Sequence, residues 1–249
     1  MAEVLLVPGS CHGAWCWHRV IPALAALGHS ARAIDLPGRG ADAARVTLDD
    51  LAAAIVAALD RPTVVVGHSA AGYAITAAAE RDPANMAALV YLCAYAPVSG
   101  QSLAQMRRAG PRQPLAGSYR LDAARTVFSF DPARVDDLFY HDCPAEDRAL
   151  AARYLLPEPI APQETPLRLT ARSQDLPRHY IACTEDRAIP PEYQAVMAAS
   201  VPEANRTVLP SSHSPFFAMP QALAARIDRI AGGLPAAGRG DMVAPVPKG

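Results

Sequence analysis

One ten-residue stretch constrains the fold of this chain more than any other. Residues 63–72 read TVVVGHSAAG, in which a β-branched run ends at Gly67, presents Ser69 and continues into an alanine-rich segment. This order of residue types predicts a strand, a sharp turn and a helix, with the serine in a strained conformation above the carboxyl edge of a parallel sheet. Gly67 and Ala71 are small, as they must be where the helix turns back against the strand. The pattern predicts Ser69 as a nucleophile, and the competing interpretation is an ordinary serine cap of the helix.

Strand-like and helix-like segments alternate on both sides of this stretch. We expect strands at residues 3–7, 30–34, 63–66, 86–92, 179–184 and 206–209, and helices at 17–27, 47–59, 70–81, 191–199 and 220–230. Continuous apolar strands between helices indicate a mostly parallel sheet that is covered on both faces. Right-handed crossovers then give a doubly wound α/β fold.

The alternation breaks between residues 97 and 177. This segment is rich in proline, arginine and aromatic residues, has no apolar strand, and contains two helical stretches at 131–140 and 145–155. Because the alternation resumes afterwards, we interpret the segment as an inserted, largely helical cap. The predicted division is a core at residues 1–96 and 178–232, a cap at 97–177 and a flexible tail at 233–249.

Composition limits the classes of partner. A net charge of −1 argues against nucleic acid and against an anionic membrane surface, so a small molecule is expected instead. The five cysteines are an odd number and several lie in apolar runs, which indicates reduced thiols in a cytoplasmic protein. The N-terminus lacks a positively charged leader, and the longest apolar run, 86–98, is too short to span a bilayer. A homodimer is one of the assemblies that the sequence leaves open.

Two later loops carry the groups that a nucleophilic serine needs. A serine hydroxyl is a poor nucleophile until an imidazole accepts its proton, and a carboxylate must hold that imidazole in the right tautomer. Asp186 and His213 each follow a predicted strand, so both belong at the sheet edge where Ser69 stands. Their order along the chain, serine then acid then histidine, is the required one. We therefore predict Ser69, Asp186 and His213 as a catalytic triad, with Glu185 as the alternative acid.

Ester chemistry on a serine also needs two backbone N–H groups that stabilise the oxyanion. One belongs to the residue after the nucleophile, Ala70, and the other to the loop after the first strand. That loop, residues 8–15, reads PGSCHGAW. We predict the Ser10 amide as the second donor, because Gly9 allows a tight backbone path there.

Residues 9–17, taken with the serine turn and the two later loops, resemble the plant methylesterase and hydroxynitrile lyase family of α/β-hydrolases and its bacterial relatives. The resemblance covers residues 3–95 and 178–230 and is weak across the intervening segment. It implies the α/β-hydrolase fold, the same triad and the same two oxyanion amides. Pro8 departs from the family pattern, since such enzymes usually carry histidine before the glycine.

The resemblance also separates esterases from lyases. Lyase members carry a threonine at the position of Gly9 and a lysine directly after the catalytic histidine, where this chain has Ser214. Because that lysine stabilises the departing cyanide, its absence favours ester hydrolysis through an acyl-enzyme over hydroxynitrile lyase activity. Other uses of the triad, as a lactonase, a carbon–carbon hydrolase or a lyase, stay open as alternatives. A ligand-binding protein with a vestigial triad is the remaining one.

Several other residues resemble chemical motifs without the context that such motifs need. Four zinc-binding residue types lie near the N-terminus: Cys11, His12, Cys16 and His18. No second ligand pair follows at finger-like spacing, so we expect neither a metal nor a cofactor. We interpret the sequence 141–143, His-Asp-Cys, as solvated surface, and His68 as a residue that packs beside the nucleophile and does not act as the base.

Overall fold

The computed structural model describes residues 1–38 and 43–234. In chain order its strands are β1 (Glu3–Val7), β2 (Ser30–Ala33), β3 (Thr63–His68), β4 (Met86–Leu92), β5 (Tyr119–Leu121), β6 (Val127–Phe130), β7 (Glu158–Pro159), β8 (Arg178–Cys183) and β9 (Arg206–Leu209). Six of them form the central sheet, in the order β2-β1-β3-β4-β8-β9. Every neighbouring pair in this sheet is parallel. The predicted parallel sheet is confirmed.

Helices cover both faces of this sheet. In chain order they are α1 (Val20–Ala26), α2 (Leu48–Ala57), α3 (Ala71–Arg81), α4 (Leu103–Ala109), α5 (Pro132–Phe139), α6 (Ala145–Tyr154), α7 (Ala161–Glu164), α8 (Ala171–Gln174), α9 (Pro191–Ala198), α10 (Pro215–Ala218) and α11 (Pro220–Gly233). Short 3₁₀ helices span Ala14–Trp17, Ala43–Arg45 and Glu203–Asn205.

The core consists of two hydrophobic layers, one on each side of the central sheet. Successive strand residues point to opposite faces, so Leu5 and Val65 pack in one layer with α2, α3 and α9. Leu6 and Val66 pack in the other layer with α1 and α11. All four side chains are fully buried, so both faces of these strands are covered. This explains why the strands appear in the sequence as continuous apolar runs.

The predicted element boundaries differ from the observed ones mainly at two helix ends. A 3₁₀ helix, Ala14–Trp17, ends where the predicted helix was expected to begin, and α1 begins only at Val20. The last helix, α11, continues to Gly233 and therefore passes the predicted start of the tail. The rest of that tail, residues 235–249, lies outside the described residues.

A second, antiparallel sheet lies wholly within residues 97–177, which we call the cap segment. Its strands β5, β6 and β7 contain three, four and two residues. The prediction of a segment without strands was wrong here, because strands this short produce no apolar run that sequence can reveal. The two predicted helices are present as α5 and α6.

All five cysteines lie in the described part of the chain, where they are buried and form no disulfide. Cys183 ends β8 and Cys93 follows β4, so two of the thiols sit at the carboxyl edge of the central sheet. None of the described helices has the length and apolar character needed to cross a membrane.

Candidate active site

The turn after β3 holds Ser69 in a left-handed conformation with a φ of +55°. Few residues other than glycine adopt this conformation, and a serine held there by its surroundings marks a strained site. The Ser69 amide donates to the Leu92 carbonyl at 3.1 Å. The N-cap of α3 is Ala70, with no side-chain cap bond, so the interpretation of Ser69 as a helix cap was wrong.

Close packing explains the small residues around this turn. A Cβ added at Gly67 would lie 2.9 Å from the Ala71 carbonyl oxygen, and one added at Gly72 would collide with the Tyr95 carbonyl. Helix α3 can therefore approach β3 and the chain after β4 only where side chains are absent. The sequence predicts the first of these contacts, between Gly67 and Ala71.

His213 and Asp186 meet at the same edge of the sheet. The His213 Nδ1–H donates to Asp186 Oδ2 at 2.7 Å, and both side chains are buried. The other carboxylate oxygen, Oδ1, accepts from the Ala188 and Ile189 amides at 2.7 and 2.8 Å. This arrangement leaves His213 Nε2 without the ring proton and free to accept one. Glu185, the alternative acid, is exposed.

His68 fixes the loop that carries His213. It is fully buried, and its Nε2–H donates to the His213 carbonyl at 2.9 Å. Burial, aided by the nearby His213, holds the pKa of His68 well below its ordinary value, so the ring stays neutral. The expectation that His68 packs beside the nucleophile agrees with this position.

Cys93 contributes a second, weaker contact to the same carbonyl, with its Sγ 3.4 Å from the His213 oxygen. Among the described residues, only His68, Cys93 and His213 bring three metal-ligating groups close together. Burial raises the pKa of the Cys93 thiol well above its ordinary value, and His213 Nδ1 is already bonded to Asp186. His68 Nε2 is likewise bonded to the His213 carbonyl, so each of these two histidines already uses one ring nitrogen within the protein.

The His-Asp-Cys sequence at 141–143 is only in part the solvated surface that we expected, since Asp142 is exposed and His141 half-buried but Cys143 is buried. Asp142 Oδ2 accepts from the Ser212 amide at 2.8 Å, and His141 Nε2 donates to the Glu185 carbonyl at 3.0 Å. These residues brace the two loops that carry the acid and the histidine. The paired residues are 44 and 70 positions apart in the sequence, so no local sequence pattern predicts these contacts.

The loop after β1 brings Ser10 to the pocket that Ala70 also lines. Neither amide donates a hydrogen bond to a described residue. Gly9 permits this close approach, since a Cβ there would lie 2.7 Å from His68 Nδ1 and 2.9 Å from Ser69 Cβ. Two N–H groups without a described partner, in the pocket that Ser69 lines, are donors of the kind that an oxyanion requires.

Two polar side chains of the cap segment hold this loop in place. Glu158 Oε2 accepts from the Cys11 amide at 3.0 Å, and Gln163 Nε2 donates to Ser10 Oγ at 2.8 Å. His12 is buried and donates from Nδ1 to the Ser10 carbonyl at 2.8 Å. Sequence reasoning missed Glu158 and Gln163, because both lie in short elements more than 140 residues from their partners.

A pocket opens above Ser69, and the cap segment supplies much of its wall. Six apolar or aromatic side chains of that segment line it: Leu103, Leu115, Tyr119, Phe128, Phe130 and Phe139. Burial raises the pKa of Tyr119 to about 12, so its hydroxyl stays protonated. The cap segment also contributes Arg107 and Gln163 to the pocket. Ser10, Ser69, Ala70 and His213 line it from the core side.

Comparison with known proteins shows the family to which this chain belongs. The chain matches the model of the alpha/beta hydrolase family over residues 4–226. The rice esterase PIR7B (Oryza sativa subsp. japonica) is 32% identical over 226 residues, which cover 80% of this chain and 83% of the relative. Methylesterase 1 of Arabidopsis thaliana is 30% identical over 249 residues, which cover 91% of this chain and 95% of the relative.

A solved structure of another methylesterase from Arabidopsis, MES16, superposes with a TM-score of 0.81. The match covers 94% of this chain and 100% of that one. Because the sequence identity is 24%, the match supports the fold alone. The sequence match and the shared architecture agree. This chain is a member of the alpha/beta hydrolase family.

Proposed function

We propose that this chain is a serine hydrolase that cleaves a small carboxylic ester through an acyl-enzyme intermediate. The observation that carries the proposal is a serine with positive φ that shares a pocket with a histidine whose Nδ1–H is bonded to a buried carboxylate. The relatives named as an esterase and a methylesterase support the same reaction. We further propose that the cap segment covers the pocket and selects the ester.

In the acylation step, Ser69 Oγ attacks the ester carbonyl carbon while His213 Nε2 accepts the hydroxyl proton. The carbonyl oxygen becomes an oxyanion, and the Ser10 and Ala70 amides donate to it. Asp186 stabilises the imidazolium that forms. When the tetrahedral intermediate collapses, the carbon–oxygen bond to the alcohol breaks and His213 returns the proton to the departing alkoxide.

In the deacylation step, a water molecule takes the place of the alcohol. His213 accepts one proton from this water as its oxygen attacks the acyl carbon, and the same two amides hold the second oxyanion. Collapse breaks the bond to Ser69 Oγ, which recovers its proton from His213. The net change is one ester and one water to one carboxylic acid and one alcohol, with the enzyme unchanged.

Covalent labelling tests this function without knowledge of the substrate. We expect a fluorophosphonate to add one phosphonyl group per folded chain, on Ser69, because the probe reacts with serines activated in this way. Intact mass and peptide mapping give the number and position of the adducts. An unlabelled folded chain, or a label on another residue, would contradict the proposal.

The pH dependence of kcat/KM should report one protonation. His213 must be neutral to act as the base, so activity falls as the pH falls and the ring becomes protonated. His68 does not add a second protonation, because burial holds its pKa far below the ordinary range. We therefore expect log kcat/KM to fall with a limiting slope of about one per pH unit on the acid side. A slope near two would mean that His68 titrates as well.

The alternative of hydroxynitrile lyase activity receives little support from the loop after β1. A threonine at Gly9 could not fit beside His68 and Ser69 without moving that loop. Ser214, which replaces the lysine of the lyases, is fully buried and lies outside the pocket lining. Lactonase or carbon–carbon hydrolase activity would use the same groups, and a panel of lactones and esters separates these reactions.

A ligand-binding protein with an idle triad is the rival class, and measurable turnover of any ester decides against it. We also propose a cytoplasmic location, which the five buried cysteines outside any disulfide support. Homodimerisation stays a prediction from the sequence.

A further inference from the structure

We propose that the pocket accepts an ester that carries a second, ionised acid group, and that Arg107 binds this group. The substrate class is the half-ester of a short dicarboxylic acid. This inference rests on the proposed function and names the chemistry that its pocket selects. Its first support is the position of Arg107, which lies on α4 and lines the same pocket as Ser69 and His213.

Arg107 has no carboxylate partner among the described residues, unlike many arginines of this chain. Among the described residues, eight others each form an ion pair with an acidic side chain: Arg19, Arg32, Arg61, Arg81, Arg112, Arg120, Arg148 and Arg187. No aspartate or glutamate is among the described residues that line the pocket containing Ser69. A half-buried guanidinium without a counter-charge in this described lining favours an anionic ligand.

The protein holds the guanidinium in a fixed orientation through neutral groups alone. Nη1 donates to the Tyr119 hydroxyl at 3.1 Å and to Gln163 Oε1 at 3.2 Å. The guanidinium carbon also lies 5.0 Å from the centre of the Tyr119 ring. Nε and Nη2 donate to no described residue. These two nitrogens form the edge that binds a carboxylate with two parallel hydrogen bonds.

Gln163 connects Arg107 to the proposed oxyanion site. Its Oε1 accepts from Arg107 and its Nε2 donates to Ser10 Oγ, at 3.2 and 2.8 Å. One amide group and two hydrogen bonds therefore separate the guanidinium from the residue whose amide would hold the ester oxyanion. This spacing suits an acid in which a few carbons separate the two carboxyl groups.

A second, outer pocket shares Arg107, Tyr119 and Gln163 with the inner one, so Arg107 lies between them. The other charged residues of the outer pocket are Arg125 and Glu164, of opposite sign. The charges of Arg125 and Glu164 cancel. Among the described residues that line the two pockets, Arg107 is then the source of the net positive charge. An anionic group is therefore attracted to this position.

The test compares monomethyl glutarate with its uncharged analogue of the same shape, methyl 5-amino-5-oxopentanoate. We expect the wild type to prefer the anionic ester by about 10- to 100-fold in kcat/KM, the range of a charged hydrogen-bond pair. In Arg107→Gln, the ratio of kcat/KM for the anionic ester to kcat/KM for the neutral ester should be close to one. In Arg107→Lys, this ratio should lie between that value and the wild-type ratio. Because both esters are measured on one preparation, partial unfolding of a variant cancels from the ratio.

Arg108→Gln is the matched control, since Arg108 is the exposed neighbour on the same helix and does not line the pocket. Its ratio should equal that of the wild type. A wild type without preference for the anion, or an Arg107→Gln variant with an unchanged ratio, would overturn the inference while leaving ester hydrolysis in place.

Failure of the proposed function would look different, because the wild type would then hydrolyse neither ester. In that case, calorimetric titration of the wild type with the two compounds decides the inference separately. At least tenfold tighter binding of monomethyl glutarate, lost in Arg107→Gln, supports the anion site. Equal or absent binding of the two compounds contradicts it.

Discussion

Ser69→Ala is expected to lower kcat for a small carboxylic ester by about 10⁴- to 10⁶-fold. The substitution removes the atom that forms the acyl-enzyme, while the Ser10 and Ala70 amides and the pocket stay in place. Ser69 is not a core residue, and alanine fits the turn at least as well in volume. The loss should therefore appear in kcat, with the folded state preserved. Initial rates and circular dichroism on the same preparation measure both quantities.

Ser30→Ala is a suitable control for this variant, because Ser30 is exposed at the start of the edge strand β2. It should keep the activity of the wild type. If the Ser69→Ala protein retained more than about a tenth of the wild-type kcat, ester cleavage in this chain would not depend on a serine nucleophile.

Asp186→Asn is expected to lower kcat by about 10³- to 10⁴-fold. The side-chain volume is unchanged, and an amide oxygen can still accept from the Ala188 and Ile189 amides. The new NH₂ group, however, cannot accept the Nδ1–H of His213, so the imidazole is driven to the wrong tautomer. Its charged form also loses its counter-ion. Steady-state kinetics, together with circular dichroism that shows a folded protein, would establish the effect.

Glu185→Gln provides the matched control for the acid. This neighbour follows the same strand but is exposed, so its amide variant should have nearly full activity. The reverse result, with an active Asp186→Asn variant and an inactive Glu185→Gln variant, would show that the acid assignment is wrong.

The sequence was sufficient for the central sheet and for the residues at its carboxyl edge. β1, β3 and β4 are buried on both faces, so each appears as an uninterrupted apolar run. Parallel topology then places the ends of the strands along one edge. This is why Asp186 and His213, far apart in the chain, could be predicted to lie near each other.

The cap segment could not be predicted to the same depth. Its strands are too short to produce a periodic pattern, and its functional side chains act through contacts with distant loops. Glu158, Gln163 and Arg107 are ordinary polar residues in the sequence, and only the tertiary structure brings them to the loop after β1 and to the pocket. Local propensity carries no information about such long-range contacts.

Trapping of the acyl-enzyme is the most direct test of whether Ser69 is the nucleophile. The wild-type enzyme is mixed with an activated ester, quenched with acid during turnover, and analysed by intact mass and peptide mapping. We expect one acyl group per chain, attached to Ser69, and none in Ser69→Ala. Turnover without any acylated chain, or an acyl group on a residue other than Ser69, would contradict it.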